Sequence, residues 1–545
     1  MTFLHSARTE GLSRPSVITA VSGWMLLVCN FTFWNRLIDG RELGRPDELL
    51  FLAATAVLLL LMLNAVIGVL AVGRLLRPVL IVFVLIAAAG SAFVDRYGVL
   101  IDRDMVQNVF ETDVAESREL MDPRLLGWML LAGGLPALCI ARMRLRPEPP
   151  GRTLRRHLCF VVANLAGATG LFVLFSAEYA SEIRGDRALR YQFNPLNAIY
   201  ATARALRPQR PASVPVPIGA DAHRPPARAG AGPNVFVLVV GETARAVDFS
   251  LNAHERPTNP RLEAADVVYF TQVSACGTST AVSLPCMFSG LGRSAYDESA
   301  ARARENLLDV LARTGLDVLW LDNNSGCKGV CARVRTELLS ASADARYCRD
   351  GECHDVILVE RLRTLLAGIE RDSVIVLHQK GSHGPAYWRR YPPAFERFTP
   401  VCRSINLDDC SPESLHNAYD NTILYTDHVL AEIIESLRAA PGLGGAAMLY
   451  VSDHGESLGE AGIYLHGAPR VIAPAVQYEI PMIFWASSGF AGAGSDLTAC
   501  LRDRAGHAYS HDNLFHSMLG VLDVSTQVYR PALDLFAPCR TGAGR

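Results

Sequence analysis

NVFVLVVGETAR, residues 234–245, and MLYVSDHGE, residues 448–456, decide how the C-terminal part of this 545-residue chain is read. Each is a short apolar run that ends in a small residue and then in charged side chains. A run of this kind bounded by turn signals reads as a strand buried on both faces, as a parallel sheet requires. Ligands of open parallel sheets bind beyond the carboxyl ends of the strands. The two runs therefore carry Glu242, Asp453 and His454 to one sheet edge. Carboxylate oxygens with an imidazole nitrogen suit zinc or manganese. An Asp-His pair alone is more often a surface or capping feature; its place after an apolar strand and before Gly455 gives it weight.

Working outward, further strands are expected at Val267–Val273, Val318–Leu321, Val374–Leu377 and Ile480–Trp485, and helices around 301–314, 354–369 and 413–439. The alternation predicts an α/β domain with a largely parallel sheet over residues 234–545. Upstream, residues 181–233 read as a partly helical bridge followed by a linker rich in Pro, Ala and Arg, of extended character.

Residues 1–180 have another composition. Five runs free of charged residues, Pro15–Asn35, Leu49–Gly73, Pro78–Val94, Leu125–Ala141 and Leu158–Ala177, approach or exceed the roughly 17–25 residues that cross a bilayer as a helix. Five such runs in succession would leave a soluble protein almost no polar face. Arginines mark the orientation. Arg8 and Arg14, then Arg74 and Arg77, then the group from Arg142 to Arg156 fall on one side, the cytoplasm. Five spans then put everything after Ala177 outside. The first run is too long for a signal-peptide core and reads as retained.

Cysteine usage agrees. Cys29, Cys139 and Cys159 lie in apolar runs, and the other members of the 13 follow residue 270. Cys276/Cys286, Cys327/Cys331, Cys348/Cys353 and Cys402/Cys410 are close neighbours, with Cys500 and Cys539 left over. Such an even set reads as disulfides in an oxidising compartment. A zinc cluster is the rival, but only Cys327/Cys331 has its spacing. Topology and cysteines both indicate the periplasm, with the inner membrane holding residues 1–180. The net charge of -2 offers no sign of a nucleic-acid partner.

The stretch SACGTSTAVSLPCMF, residues 274–288, is small and hydroxyl-rich, follows a strand and opens a helix. A helix N-terminus offers free N–H groups to an anion, and a hydroxyl there could attack phosphorus if a metal lowered its pKa. By composition alone a plain capping role is the commoner outcome, and Thr278, Ser279, Thr280 and Ser283 are not separated. The clusters 323–328, 381–385 and 466–467 could line a phosphate site.

Taken together, the segments VVGETAR, SACGTSTAVSLPCMF, DNNSGCKGVC, GSHGPAY, NAYDNTILYTD and SDHGESLGE resemble the lipid A phosphoethanolamine transferases. That family includes the mobile colistin-resistance enzymes and belongs to the alkaline phosphatase/sulfatase superfamily. The resemblance covers nearly the whole chain. It implies a five-helix membrane domain and a sulfatase-like catalytic domain, zinc at one site with room for a second, and transfer from phosphatidylethanolamine to lipid A by a monomeric enzyme. It implies that Thr280 becomes phosphoethanolaminylated, and that Glu242, Thr280, Asp453 and His454 hold zinc. It places Ser325, Lys328, His383 and His466 near the head group or a second zinc, and Asn108, Thr112 and Glu116 against the phospholipid. The bond between Cys500 and Cys539 is less clearly covered.

Three rivals are weighed against this. A sulfatase or phosphodiesterase on the same scaffold would use water as acceptor, but no C/S-x-P-x-R context surrounds Thr280. A relative could modify core sugar or periplasmic glucan. A non-catalytic lipid sensor would need a broken metal site, and all four ligand positions are intact.

Overall fold

The computed structural model describes residues 11–39, 41–111, 120–147, 149–176, 178–179, 182, 189–206, 215–225, 232–340, 342, 344–349, 352–490 and 495–540. The chain divides into two compact units, one of residues 1–106 and 121–207, the other of 107–120 and 208–545.

The first unit is helical. Its main helices are α1 (Arg14–Val28), α2 (Phe31–Ile38), α3 (Pro46–Leu70), α4 (Leu76–Tyr97), the start of α5 (Arg103–Glu111, whose residues from Gln107 onward fall in the second unit), α6 (Pro123–Trp128), α7 (Leu135–Arg142) and α8 (Pro150–Leu174). A π-helical segment, Met129–Gly134, joins α6 to α7 into one apolar rod. Four helices are long and apolar enough to cross a membrane, and α1 with α2 makes a fifth if that pair, bent by 63°, is one span. The first apolar run is thus a broken helix rather than the continuous one expected; the Cys29-Asn30 step ends α1, and Asn30 donates its amide to the Met25 and Asn194 carbonyls. Helices α3 and α8 approach closely at Gly68, where a Cβ would lie 2.8 Å from Val161, and Asn64 Nδ2 donates to Asn164 Oδ1 at 3.1 Å. Small residues and paired amides are the usual means of joining helices where water offers no help.

The second unit is built on a seven-stranded sheet: β1 (Asn234–Gly241), β2 (Val268–Phe270), β3 (Asp317–Asp322), β4 (Arg335–Leu338), β5 (Ser373–His378), β6 (Gly445–Ser452) and β7 (Met482–Ala486). Its order is β2-β7-β6-β1-β5-β3-β4. The five strands from β6 to β4 are parallel, and β7 runs antiparallel to both β6 and β2. The largely parallel expectation holds for the centre. The run Val267–Val273 is not one strand: Thr271 interrupts it, and Gln272–Ser274 pairs instead with Ala508–Ser510. The helical pattern at 301–314 is likewise two helices, Glu298–Arg302 and Leu307–Arg313, parted where Asn306 and Asp309 form a reciprocal cap. Sequence reasoning missed the short edge strand β4, which is largely exposed and carries no apolar pattern.

Central strands are buried along their length, so both sheet faces must be covered. Phe236, Leu238 and Val240 pack in one cluster with helices α9 (Thr280–Ser289), Leu307–Arg313 and Asp512–Val521. Alternation along the strand sends Val235, Val237 and Val239 to the other face, where the helix Pro412–Ala439 packs on β6 and on the helix Val356–Leu366. Residues 215–225, expected as free linker, belong to this unit: Ile218 joins the core, and Val216 and His223 bond to the Ala303–Glu305 and Ser525 backbones. Disulfides join Cys276 to Cys286, Cys327 to Cys331, Cys348 to Cys353, Cys402 to Cys410, and the leftover Cys500 to Cys539.

Candidate active site

Strand register brings the site together. Gly241 lies opposite Ser452, Val240 opposite His378, and His378 opposite Asp322, so β1, β6, β5 and β3 end at one level. The next residue of β1 is Glu242 and the next two of β6 are Asp453 and His454. All three are buried, and each points one ligand atom to within 4.8 Å of the others.

The turn after β1 is strained. Thr243, a β-branched residue, sits at φ +53°, a region such side chains rarely enter. Its N–H donates to Asp453 Oδ1, its C=O accepts from the Tyr419 hydroxyl, and Ala244 N donates to Ser452 Oγ. Gly381 crosses behind Glu242 at φ +55°, where a Cβ would come 2.5 Å from the Glu242 carbonyl. Only glycine admits that approach.

Thr280 stands at the first turn of α9, half-buried. Its Oγ1 lies 3.1 Å from each Glu242 carboxylate oxygen and 3.3 Å from His454 Nε2. His454 Nε2 in turn lies 3.3 Å from Glu242 and 3.4 Å from Asp453 Oδ2. The hydroxyls of Thr278 and Ser283 are otherwise engaged. Thr278 Oγ1 donates to the Ala468 carbonyl, Ser283 Oγ accepts from Gly277 N, and Ser279 caps α9 through its backbone. Thus the structure brings one of the four candidate hydroxyls against the ligand cluster.

The electrostatics favour a cation here. Burial and the Glu242 charge push Asp453 up to about 6. Burial opposes ionisation of Glu242, but the His454 hydrogen bond and the nearby imidazoles outweigh it and hold its carboxyl below the usual range. Although burial works against it, the carboxylates push His454 up to about 9. Asp453 Oδ2 is buried with no hydrogen-bond partner, a costly state unless an ion takes the lone pair. His454 Nδ1 lies 2.8 Å from the Gly455 carbonyl; donation there leaves Nε2 free as a ligand. Residues and donor set therefore fit a divalent metal.

The remaining predicted residues are distributed as follows. His466 Nδ1 bonds to Glu456 Oε2 at 2.8 Å, its ring stands 4.5 Å from that of His454, and the His383 ring lies 5.4 Å further on. Burial and Lys380 hold His383 well below the usual imidazole range. Lys328, at φ +49°, donates to Ser325 Oγ at 3.2 Å within the loop clipped by Cys327–Cys331. Asn108 is half-buried on α5, while Thr112 and Glu116 lie outside the described residues.

Asn324, expected only as part of a cluster that could line a phosphate site, donates its Nδ2 to Glu242 Oε2 at 2.7 Å. Other supporting residues escaped sequence reasoning. Asp322 Oδ2 bonds to His378 Nδ1 at 3.0 Å, both fully buried, directly behind that amide. Glu456 accepts from the Tyr387 hydroxyl at 2.7 Å and so fixes His466. His511 bridges the segment before α9 and the end of β6, its Nδ1 accepting from Cys276 N and its Nε2 donating to the Ser452 carbonyl. The available signal was position: Asp322, Asn324 and His378 all sit at or just past strand ends.

Comparison with known proteins gives this geometry its context. Residues 234–524 match the sulfatase family, and residues 59–210 match the family described as Phosphoethanolamine transferase EptA/EptB. The chain is 39% identical to Phosphoethanolamine transferase EptA of Salmonella typhimurium, over 97% of this chain and 98% of that protein. It is 37% identical to Phosphatidylethanolamine transferase Mcr-1 of Escherichia coli, over 93% and 95%. Among solved structures, the integral membrane lipooligosaccharide phosphoethanolamine transferase A of Neisseria meningitidis is 36% identical with a TM-score of 0.92, covering 97% of this chain and 99% of that one. The soluble domain of that protein is 44% identical with a TM-score of 0.58, covering 60% and 99%. With helices that match the membrane half and a metal-type site in the sulfatase half, the chain belongs to the EptA/EptB family of phosphoethanolamine transferases and is a transferase of that kind.

Proposed function

We propose that this protein transfers phosphoethanolamine from phosphatidylethanolamine to a phosphate of lipid A through a phospho-threonine intermediate on Thr280. The observation that carries this reading is the convergence of the Thr280 hydroxyl with Glu242, Asp453 and His454 at one buried point. Glu242, Thr280, Asp453 and His454 would hold zinc, which when bound supplies Lewis-acid activation of a hydroxyl and offsets phosphoryl charge. Whether a second zinc binds near His383 and His466 is part of the same reading.

The residues divide the work. Thr280 Oγ1 forms a bond to phosphorus as the bond from phosphorus to the diacylglycerol oxygen breaks, and the Thr280 proton ends on that oxygen, so that diacylglycerol leaves neutral. A lipid A phosphate oxygen then attacks the same phosphorus, the Thr280 bond breaks, and the proton of the attacking hydrogen phosphate restores the Thr280 hydroxyl. His383 and His466, with Lys328 and Ser325, bind the head group and oppose the charge that builds on it. Asn108, Thr112 and Glu116 contact the phospholipid donor. The bent pair α1–α2 counts as one crossing, giving five, and residues 1–180 hold a monomeric enzyme in the inner membrane. Residues 181–233, of which 215–225 pack on the sheet unit, connect it to a periplasmic catalytic domain, 234–545. The name of the Neisseria meningitidis relative, a lipooligosaccharide transferase, supports a lipid A-type acceptor.

The test is mass spectrometry of lipid A from cells with and without the protein, together with its Thr280→Ala variant. An added phosphoethanolamine mass that vanishes in the variant is expected. Unchanged lipid A under good expression would move the acceptor to core sugar or glucan. Free phosphoethanolamine as the sole product would make the enzyme a hydrolase.

A further inference from the structure

The turn that follows β1 carries a second group of metal-type side chains, away from the catalytic centre. Asp248 and His254 lie on that turn and Asp420 on the helix Pro412–Ala439, and one ligand atom of each falls within 4.8 Å of the others. Asp248 and Asp420 are 3% and 1% exposed, while His254 is partly exposed.

This group repeats two signs seen at the catalytic centre. His254 Nε2 lies 3.4 Å from Asp420 Oδ2, the same separation as between His454 Nε2 and Asp453 Oδ2. That is long for a hydrogen bond. It matches two ligands of one tetrahedral zinc, which at metal–ligand distances of about 2.0–2.1 Å stand roughly 3.3 Å apart. Among the described residues, Asp420 Oδ1 is buried with no hydrogen-bond partner, as is Asp453 Oδ2.

The guanidinium groups nearby do not complete the pairing. Arg256 Nη1 donates to Asp420 Oδ2 at 2.9 Å and to Asn417 Oδ1, which leaves Asp420 Oδ1 open. Arg245 is shared: its Nε lies 2.7 Å from Asp248 Oδ2 and its Nη1 2.9 Å from Glu460 Oε1. The Arg245–Asp248 contact is close but not aligned as a hydrogen bond. Burial pushes Asp248 up to about 6 although Arg245 opposes it, so this carboxylate has less positive charge beside it than its burial demands. The Asp420 contact raises His254 against burial, and surroundings that draw a proton to an imidazole nitrogen also draw a metal cation to it. Carboxylates that ligate a metal keep hydrogen bonds from outer neighbours, a place that Arg245 and Arg256 already occupy.

We propose that Asp248, His254 and Asp420 bind a divalent cation of the zinc or manganese class, separate from the catalytic metal. Two carboxylates and one imidazole suit either ion. The cation fastens the turn behind Glu242 to the helix Pro412–Ala439 at a second point. The first is Tyr419, next to Asp420, whose hydroxyl donates to the Thr243 carbonyl and accepts from Arg245 N. The proposal does not depend on the transfer reading.

The test counts bound metal in the full-length enzyme in detergent, by equilibrium dialysis against zinc or manganese and elemental mass spectrometry. Wild type, His254→Gln, Asp453→Asn and the double variant are compared, and differences are read, whatever number the catalytic centre holds. His254→Gln is expected to bind one equivalent less than wild type, and the double variant one less than Asp453→Asn. His254→Glu, which keeps a ligand atom, is expected to regain that equivalent. A cooperative unfolding transition in the presence of chelator shows that each variant is folded. Equal metal content with and without His254, in either background, overturns the proposal. So does a loss seen in His254→Gln but absent between Asp453→Asn and the double variant, which would place the missing ion at the catalytic centre. If the substitution changes only the dependence of stability on pH, His254 holds a proton and no metal, and the proposal falls.

Discussion

The two units place their side chains by opposite rules. In the helical unit, Leu27, Leu131 and Leu174 are 71%, 66% and 72% exposed. In the sheet unit, Glu242, His378, Asp453 and His454 are at most 1% exposed. Water would penalise the first pattern, and an apolar core without partners would penalise the second. The first is relieved if lipid covers those leucines. The second is relieved by register, which brings most of these buried polar groups to partners; at Asp453 the proposed cation would complete the pairing. The membrane half is thus shaped by its solvent, and the catalytic half by its internal pairings.

The largest effect should come from the centre of the buried polar set. Thr280→Ala removes the proposed nucleophile, and transfer should fall by about 10³-fold or more, measured as lipid A modification with protein level controlled. Near-normal transfer by a folded Thr280→Ala protein would remove Thr280 from the mechanism. One layer behind, Asp322→Ala strips His378, the Trp320 indole N–H and the Asn324 N–H of their acceptor. Orphaning a buried ion-pair partner costs about 3–5 kcal/mol. Denaturant unfolding should record that loss, and an effect within about 0.5 kcal/mol would mean the pair is not under tension from burial.

The helical unit offers the complementary break. Leu131→Asp puts a charge on a largely exposed apolar position of the α6–α7 rod. If that rod crosses a bilayer, insertion should be disfavoured by about 2.5–3.5 kcal/mol, read in a glycosylation or alkylation assay of membrane integration. Normal insertion would argue that Leu131 faces no lipid.

A proton can probe the sheet unit more gently. Burial holds His511 down to about 4, below its unfolded value near 6.5. The native state therefore binds fewer protons than the unfolded state between those values. Its stabilising share is complete above pH 6.5 and is lost as pH falls toward 4, by up to about 3 kcal/mol. A His511→Gln variant, whose pH-stability curve lacks that component, checks the assignment. The smallest effect is expected in the membrane half, where Asn64→Leu removes the amide pair with Asn164. Such bonds are worth only about 0.6 kcal/mol on average, so a loss of several kcal/mol would show that the pair has another role.

Much of this was legible in advance because it depends on local pattern. Uniform apolar runs need no partner to be recognised as membrane helices, and an apolar run ending in Gly-Glu or Ser-Asp-His can be read as a strand end carrying ligands. The break at Cys29-Asn30, the division of Val267–Val273 at Thr271, and the docking of residues 215–225 were not legible. Each depends on a partner distant in the chain: Asn194 for the first, the 508–510 strand for the second, the 303–305 and 525 backbones for the third.

The site divides along the same line. Sequence alone determined the ligand types, their positions after apolar strands, the cysteine neighbours and the contrast between the two halves, because these are properties of composition and short-range spacing. Only the tertiary structure decided that Gly241 meets Ser452, that Asp322, His378 and Asn324 stand behind Glu242, and that Thr280 rather than Thr278, Ser279 or Ser283 reaches the cluster. Parallel-strand register and the capping geometry of α9 make those choices. Both are set by packing among residues up to about two hundred positions apart in the chain, which no local reading contains.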